Sequence, residues 1–294
     1  MNKIDVHAHV KDVANINFKI NDKVVYPNID ELLKLYDSLH IEIGILLPVI
    51  SPEGQTTLIT NEEACMIAQK HPNRFKWVCN VDPRMGSNSS NTDFSEILDY
   101  YKAMGAIGVG EVTCNLGVDD SLVDNFFYHC ELAKMPVTIH FSNKLGNTYG
   151  LVDKSGLPKL EQTLSKYPNL IIIGHAQAFW REITDSVNEN EEYPSGRICR
   201  DGAIQRLLRN YKNLYCDLSA RSGSNALLRD TDYAYIFLEE FQDRIMLGLD
   251  VCDINDPIYT EKIIFLDNAL LNNKISKTTY DKICYFNARK LYGI

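Results

Sequence analysis

Apolar, largely β-branched runs of strand length recur along the whole chain, at residues 4–6, 41–49, 75–81, 106–112, 137–139, 170–174, 214–218 and 245–249. They are continuous rather than alternating, which is the pattern of strands covered on both faces. Helical periods with start signals lie between them. Asn28-Ile-Asp-Glu opens Leu32, Leu33, Leu35, Tyr36 and Leu39, and Thr60-Asn-Glu-Glu resembles a capping box before Ala64 and Ile67. Asp119 and Asp120 precede residues 122–134, and Pro158 suits a first helical turn before Leu160 and Leu164.

With strand ends at His7, Val49, Val81, Glu111, His140, His175, Ser219 and Asp250, successive separations run from 29 to 44 residues. This strand-helix rhythm, eight times over, predicts an α/β fold of the (β/α)8 TIM-barrel type, one domain over residues 1–294 with terminal helices from about 276. An open doubly wound sheet would carry a Gly-rich turn after its first strand, where this chain has His7-Ala-His9. The longest segments, 10–29 and 176–200, follow strands 1 and 6, where such barrels build substrate sites.

Composition narrows the function classes. With 294 residues, 45% of them hydrophobic, the chain can bury a large core. A net charge of −9 with scattered Lys and Arg argues against nucleic acid as a partner, since phosphate neutralisation carries much of that affinity. Neither an N-terminal apolar leader nor a stretch of membrane-spanning length is found, so a cytoplasmic protein without a membrane partner is expected. The eight cysteines are dispersed, as reduced thiols would be.

Side chains at the C-terminal ends of barrel strands converge on one pocket. Strand 1 ends in His7-x-His9, whose i, i+2 spacing puts both rings on one side. Strand 4 ends in Glu111, strand 5 in His140, strand 6 in His175 and strand 8 in Asp250. A single strand-end histidine is more often a hydrogen-bonded core residue than a ligand, but four of the seven histidines fall on these termini. The other three, His40, His71 and His129, fall in or at the ends of helices. Mixed imidazole and carboxylate donors suit zinc, with manganese or iron as alternatives.

Ile4-Asp-Val-His-Ala-His9, Gly108-Val-Gly-Glu111, Pro136-Val-Thr-Ile-His140, Ile173-Gly-His175 and Gly248-Leu-Asp250 resemble the metal motifs of the amidohydrolase superfamily, in its amidohydrolase-2 branch. Asn213-Leu-Tyr-Cys-Asp-Leu-Ser219 resembles that branch's seventh strand. The resemblance covers nearly the whole chain and is far more specific for the superfamily than for a substrate. It implies one or two divalent ions, with His7, His9 and Asp250 at one, Glu111, His140 and His175 at the other, and Glu111 bridging. It further implies hydrolysis of an amide, ester or lactone in a small molecule, with Asp250 and His175 catalytic.

The alternative is a one-ion, non-oxidative decarboxylase of a small aromatic or unsaturated carboxylate, with the strand-6 histidine freed for catalysis. A TatD-like nuclease is a further option, which the acidic balance disfavours. A binding module would be expected to have lost a ligand, and all six are present. Arg181 and Arg221 are candidate contacts for a substrate carboxylate or phosphate. Arg197 and Arg200 read as surface residues paired with Glu189, Glu191 or Glu192, and Cys114 and Cys252 as small core residues. A homodimer is left open.

Overall fold

A computed structural model describes residues 2–12, 19–20, 23–24, 26–53, 57–188 and 191–294. Among these, eight parallel strands follow the expected rhythm: β1 (Lys3–Ala8), β2 (Ile41–Leu46), β3 (Phe75–Trp77), β4 (Val109–Val112), β5 (Val137–Ser142), β6 (Ile172–His175), β7 (Leu214–Asp217) and β8 (Ile245–Met246). The intervening helices are α1 (Ile29–Leu39), α2 (Asn61–Lys70), α3 (Ser95–Ala103), α4 (Ser121–Ala133), α5 (Pro158–Lys166), α6 (Gln177–Trp180), α7 (Ala203–Asn210), α8 (Ala220–Leu228), α9 (Thr231–Glu240) and α10 (Glu261–Leu271). The chain ends in α11 (Lys277–Asp281), a π-helical stretch (Lys282–Phe286) and α12 (Asn287–Tyr292).

Strands β1 to β3 form one ladder and β4 to β8 another, and two seams join them into a barrel. At the first, Cys79 bridges Val109, and the Gly110 amide donates to the Cys79 carbonyl at 2.8 Å. At the second, the Val6 amide donates to Leu247 at 3.0 Å and the Asp250 amide to the His7 carbonyl at 2.8 Å. Closure removes free sheet edges and brings the ends of β1 and β8 together.

Two clusters make up most of the core. The larger lies between strands and helices; the smaller fills the barrel with Ile4, Val6, Ile43, Ile45, Leu47, Val78, Ile173 and Met246, and takes in Ala288 and Tyr292 of α12. Ile4 and Val6 belong to the inner cluster and Ala8 to the outer, and the pairing register shifts between Asp5 and Ala8. That irregularity resets the two-residue alternation, so that Val6 packs below while His7 and His9 present their rings above.

The helix starts follow local chemistry. Asn28 Oδ1 accepts from the Glu31 amide and Glu31 Oε2 from the Asn28 amide, both at 2.9 Å, a complete capping box. At α2 the box is half made: Thr60 caps the Glu63 amide, but the Glu63 carboxylate accepts from Lys11 Nζ at 2.8 Å and the Asp12 amide at 3.2 Å. A nearby ammonium outcompetes the cap amide for that carboxylate, and the loop after β1 is pinned to α2. Asp120 caps α4 and Pro158 occupies the first turn of α5. Much of the long segment after β1 lies outside the described residues.

Candidate metal centre

The six residues singled out at strand ends meet in one place. His7 Nε2 and His9 Nε2 face each other at 3.1 Å, and each lies 3.5 Å from Glu111 Oε2. Asp250 Oδ1 stands 3.9 Å from His7 Nε2 and 3.5 Å from His9 Nε2. On the other side of Glu111, Oε1 lies 2.6 Å from His140 Nδ1 and 3.4 Å from His175 Nε2, while Asp250 Oδ2 is 3.7 Å from His175 Nε2. Three triads of donor atoms lie within 4.8 Å of one another: His7, His9 and Glu111; His7, His175 and Asp250; and Glu111, His140 and His175.

Donors of this kind fit a divalent ion. Two nitrogens at ~2.0–2.1 Å from a tetrahedral zinc ion would stand ~3.3 Å apart, and the edges around His7, His9, Glu111 and Asp250 run from 3.1 to 3.9 Å. The rings are also oriented from behind, as metal-binding imidazoles are. His7 Nδ1 pairs with Asp217 Oδ2 at 2.6 Å, His9 Nδ1 with the Leu47 carbonyl at 2.9 Å, and His175 Nδ1 with Ser219 Oγ at 2.7 Å. His140 differs: its Nδ1 is spent on Glu111.

Asp217 and Ser219 were not assigned roles in the sequence. Ser219 Oγ donates to Asp217 Oδ2 at 2.8 Å and the Ser219 amide to Asp217 Oδ1 at 2.8 Å, so one buried pair at the junction of β7 and α8 supports both His7 and His175. Their i, i+2 spacing at a strand end is the same signal that marks His7 and His9. Gly248 makes room for them, since a Cβ there would lie 2.1 Å from Asp217 Oδ1. Deeper still, Asp5 accepts from the His7 amide at 3.0 Å, the Leu249 amide at 2.8 Å and Tyr36 Oη at 2.6 Å. Gly44 gives Tyr36 its path, because a Cβ would sit 2.6 Å from that hydroxyl.

Backbone conformation is unusual at the same strand ends. Asp250 has φ 56°, Ala176 after His175 has φ 81°, and Ala220 after Ser219 has φ 57°. Left-handed backbone costs non-glycine residues of order 1–3 kcal/mol each and clusters at functional sites.

The electrostatics describe a pocket short of positive charge. Burial alone would lower the pKa of His7, but Asp250, Asp217 and Glu111 outweigh it and hold the ring well above its usual value. Burial opposes ionisation of Glu111, yet His140 and His7 keep its carboxyl well below the ordinary range. Asp250 is raised, by burial first and by Glu111 beside it. His175 is pushed down to about 3 by burial and by the charge of His7, so its imidazole is neutral. Asp5 rises to about 6 through burial.

Tyrosines line the approach. The Tyr149 ring lies 4.4 Å from that of His140 and the Tyr26 ring 5.4 Å from that of His9. The Arg221 guanidinium is exposed and stacks 4.6 Å over Tyr193, whose phenol lies within the field of Asp250. Arg181 is buried in the turn after α6, with Nε 3.6 Å from Glu182 Oε1. Arg197 is exposed, and Arg200 pairs with Asp185 at 3.1 Å rather than with the glutamates expected, of which Glu189 lies outside the described residues. Cys114 is buried, and Cys252 Sγ lies 3.9 Å from Asp250 Oδ1. His40 and His71 terminate α1 and α2, and His129 packs within α4 against Phe94.

The Amidohydrolase family model matches residues 4–294, and the chain belongs to that family, in its amidohydrolase-2 branch. No curated protein matches it in sequence. Among solved structures it is similar to a probable 2-pyrone-4,6-dicarboxylic acid hydrolase from Acinetobacter baumannii, at 17% identity over 100% of both chains with a TM-score of 0.61. It is similar to 2,6-dihydroxybenzoate decarboxylase from Rhizobium, at 16% identity over 99% of this chain and 98% of that one, TM-score 0.60. An uncharacterised TIM-barrel protein from Bordetella bronchiseptica matches at 15% identity over 100% and 99%, TM-score 0.66. At such identities these structures establish the fold, a TIM barrel. No helix among the described residues is long and apolar enough to cross a membrane.

Proposed function

We propose that the chain is a metal-dependent hydrolase that cleaves an amide, ester or lactone bond in a small molecule. One observation carries this reading: the two oxygens of Glu111 face different partner sets, Oε2 towards His7 and His9 and Oε1 towards His140 and His175. Such a carboxylate would suit two cations, one that His7, His9 and Asp250 would hold with Glu111 and one that His140 and His175 would hold with it. Zinc is the proposed ion, with manganese or iron as alternatives. A bound divalent ion supplies water acidic enough to ionise near neutral pH and polarises the carbonyl under attack.

The protein's own groups do the rest. Asp250 Oδ2, whose carboxyl is raised by burial and by Glu111, accepts the proton of the attacking water and hands it to the leaving group. Neutral His175, held by Ser219, presents Nε2 towards the same space. Arg221 on Tyr193 is placed to meet an anionic group of the substrate at the rim. Tyr26 and Tyr149 limit water and present flat, amphipathic walls. A cytoplasmic location is proposed with this reading, and a homodimer is an open arrangement for it.

The 2.6 Å bond between His140 Nδ1 and Glu111 Oε1 favours a second reading, because it occupies the Glu111 oxygen that a second ion would need and leaves one ion, which His7, His9, His140 and Asp250 would hold with His175 free. That reading is a non-oxidative decarboxylase. Metal analysis of purified protein loaded with zinc, manganese or iron, followed by a screen of lactones, esters, amides and aromatic carboxylates, separates the two. Two ions per chain with hydrolytic turnover is the expected result. Carbon dioxide release with one ion per chain would replace hydrolysis by decarboxylation.

A further inference from the structure

Helix α10 buries Lys262, Ile263, Phe265, Leu266 and Ala269, and Lys262, Phe265, Leu266 and Ala269 follow the three- and four-residue spacing of one core-facing stripe. The other four are apolar as the packing demands; Lys262 is not. Its side chain is fully buried, among the largest such in the protein, and Nζ has no hydrogen-bond partner among the described residues. Burial without a partner penalises the charged form and brings the amine down to about 8. A leucine or methionine would fill the volume without that penalty.

The charges facing the amine give it a purpose. They are Asp217 at the end of β7, Asp250 after β8, Asp5 on β1 and, on its own helix, Glu261. Helix α8, packed against α10, buries Ser222 and Ser224 rather than a charge. Asp217 holds His7, Asp5 holds the backbone beneath it, and Asp250 is itself in the cluster. The buried amine therefore lies within the field of these carboxylates and is hydrogen-bonded to none of them.

We infer that Lys262 is a positioning residue of this centre: a buried positive charge, carried on α10, that would moderate cation affinity and make water held at the ion more acidic. The inference rests on the metal-dependent reading above. A cation behind the ligands repels a divalent ion, so it weakens binding; by the same repulsion it favours loss of a proton from water at the ion. These two effects share one sign, and a residue that merely fills space would produce neither.

The experiment compares wild type with Lys262→Met and Lys262→Gln, using zinc competed against a chromophoric chelator, and the pH profile of kcat/KM with a substrate found in the screen. Removing one unit charge at this range is expected to tighten zinc binding about tenfold and to move the acidic limb of the profile up by about one pH unit. Lys262→Gln checks the same outcome with a polar side chain should Lys262→Met fail to fold. Unchanged or weaker zinc binding in a folded variant would overturn the inference while leaving the metal reading intact. Wild-type protein that binds no zinc, manganese or iron would overturn the metal reading, and this inference with it.

Discussion

At the scale of single residues, the centre separates groups that touch the reacting atoms from groups that aim them. Asp250 is of the first kind, and its amide is tied to the His7 carbonyl whatever its side chain becomes. Asp250→Asn keeps the shape and one oxygen donor but loses the proton acceptor, so turnover is expected to fall by roughly 10²- to 10⁴-fold. Metal content measured on the same preparation should stay close to wild type; undiminished kcat would defeat the proposed role. Asp217 is of the second kind, since it orients His7 through Nδ1 at 2.6 Å and lies behind Ser219 and His175. Asp217→Asn is expected to weaken metal affinity by about 10- to 100-fold, read from chelator competition, and equal affinity would show that the ring needs no such support.

At the scale of elements, the helices set the strands and the strands set the site. Asn28 starts α1, the helix that carries Tyr36 to Asp5. Asn28→Ala removes the cap and should cost about 1 kcal/mol of stability, seen in chemical denaturation, with metal affinity unaltered. A loss of metal binding instead would mean that α1 positions the site more directly than its contacts indicate. The strands were legible in the sequence because parallel strands buried on both faces are continuous apolar runs, and at five of the eight expected ends a His, Glu or Asp breaks that pattern, although β2, β3 and β8 stop at Leu46, Trp77 and Met246, short of the ends expected at Val49, Val81 and Asp250. The helix start at Asn28 was legible from its local residues, and the complete capping box there is a finding of the structure. The capping box read at Thr60 is only half made, because its Glu63 is taken by Lys11, a partner 52 positions away in sequence. Asp217 and Ser219 carried a readable i, i+2 pattern, but nothing local says that they reach His7, 210 residues distant. Lys262 was invisible for a similar reason: one lysine among apolar residues in a helix reads as an exposed position until packing shows it buried.

At the scale of the whole molecule, the barrel gathers Glu111, Asp217, Asp250 and Asp5 into one interior, and the acidic surplus must be met by protons or by metal. In the metal-free protein His7 is held well above its ordinary value by these carboxylates. A group whose folded pKa is raised contributes stability that is present in full below its unfolded value near 6.5 and is lost as pH climbs through the folded one. The metal-free protein should therefore lose this contribution as pH rises above about 6.5. Metal binding needs the same nitrogen free of its proton, so affinity should rise about tenfold per pH unit for each proton displaced, up to the folded pKa. The gap in Tm between metal-loaded and metal-free protein is then expected to widen from pH 6 to pH 8, since ligand binding stabilises in proportion to the logarithm of affinity. Thermal unfolding with and without a fixed excess of zinc at several pH values checks this. A gap that stays constant, or narrows as pH rises, would mean that protons and metal do not compete for His7, and that the ion is held elsewhere.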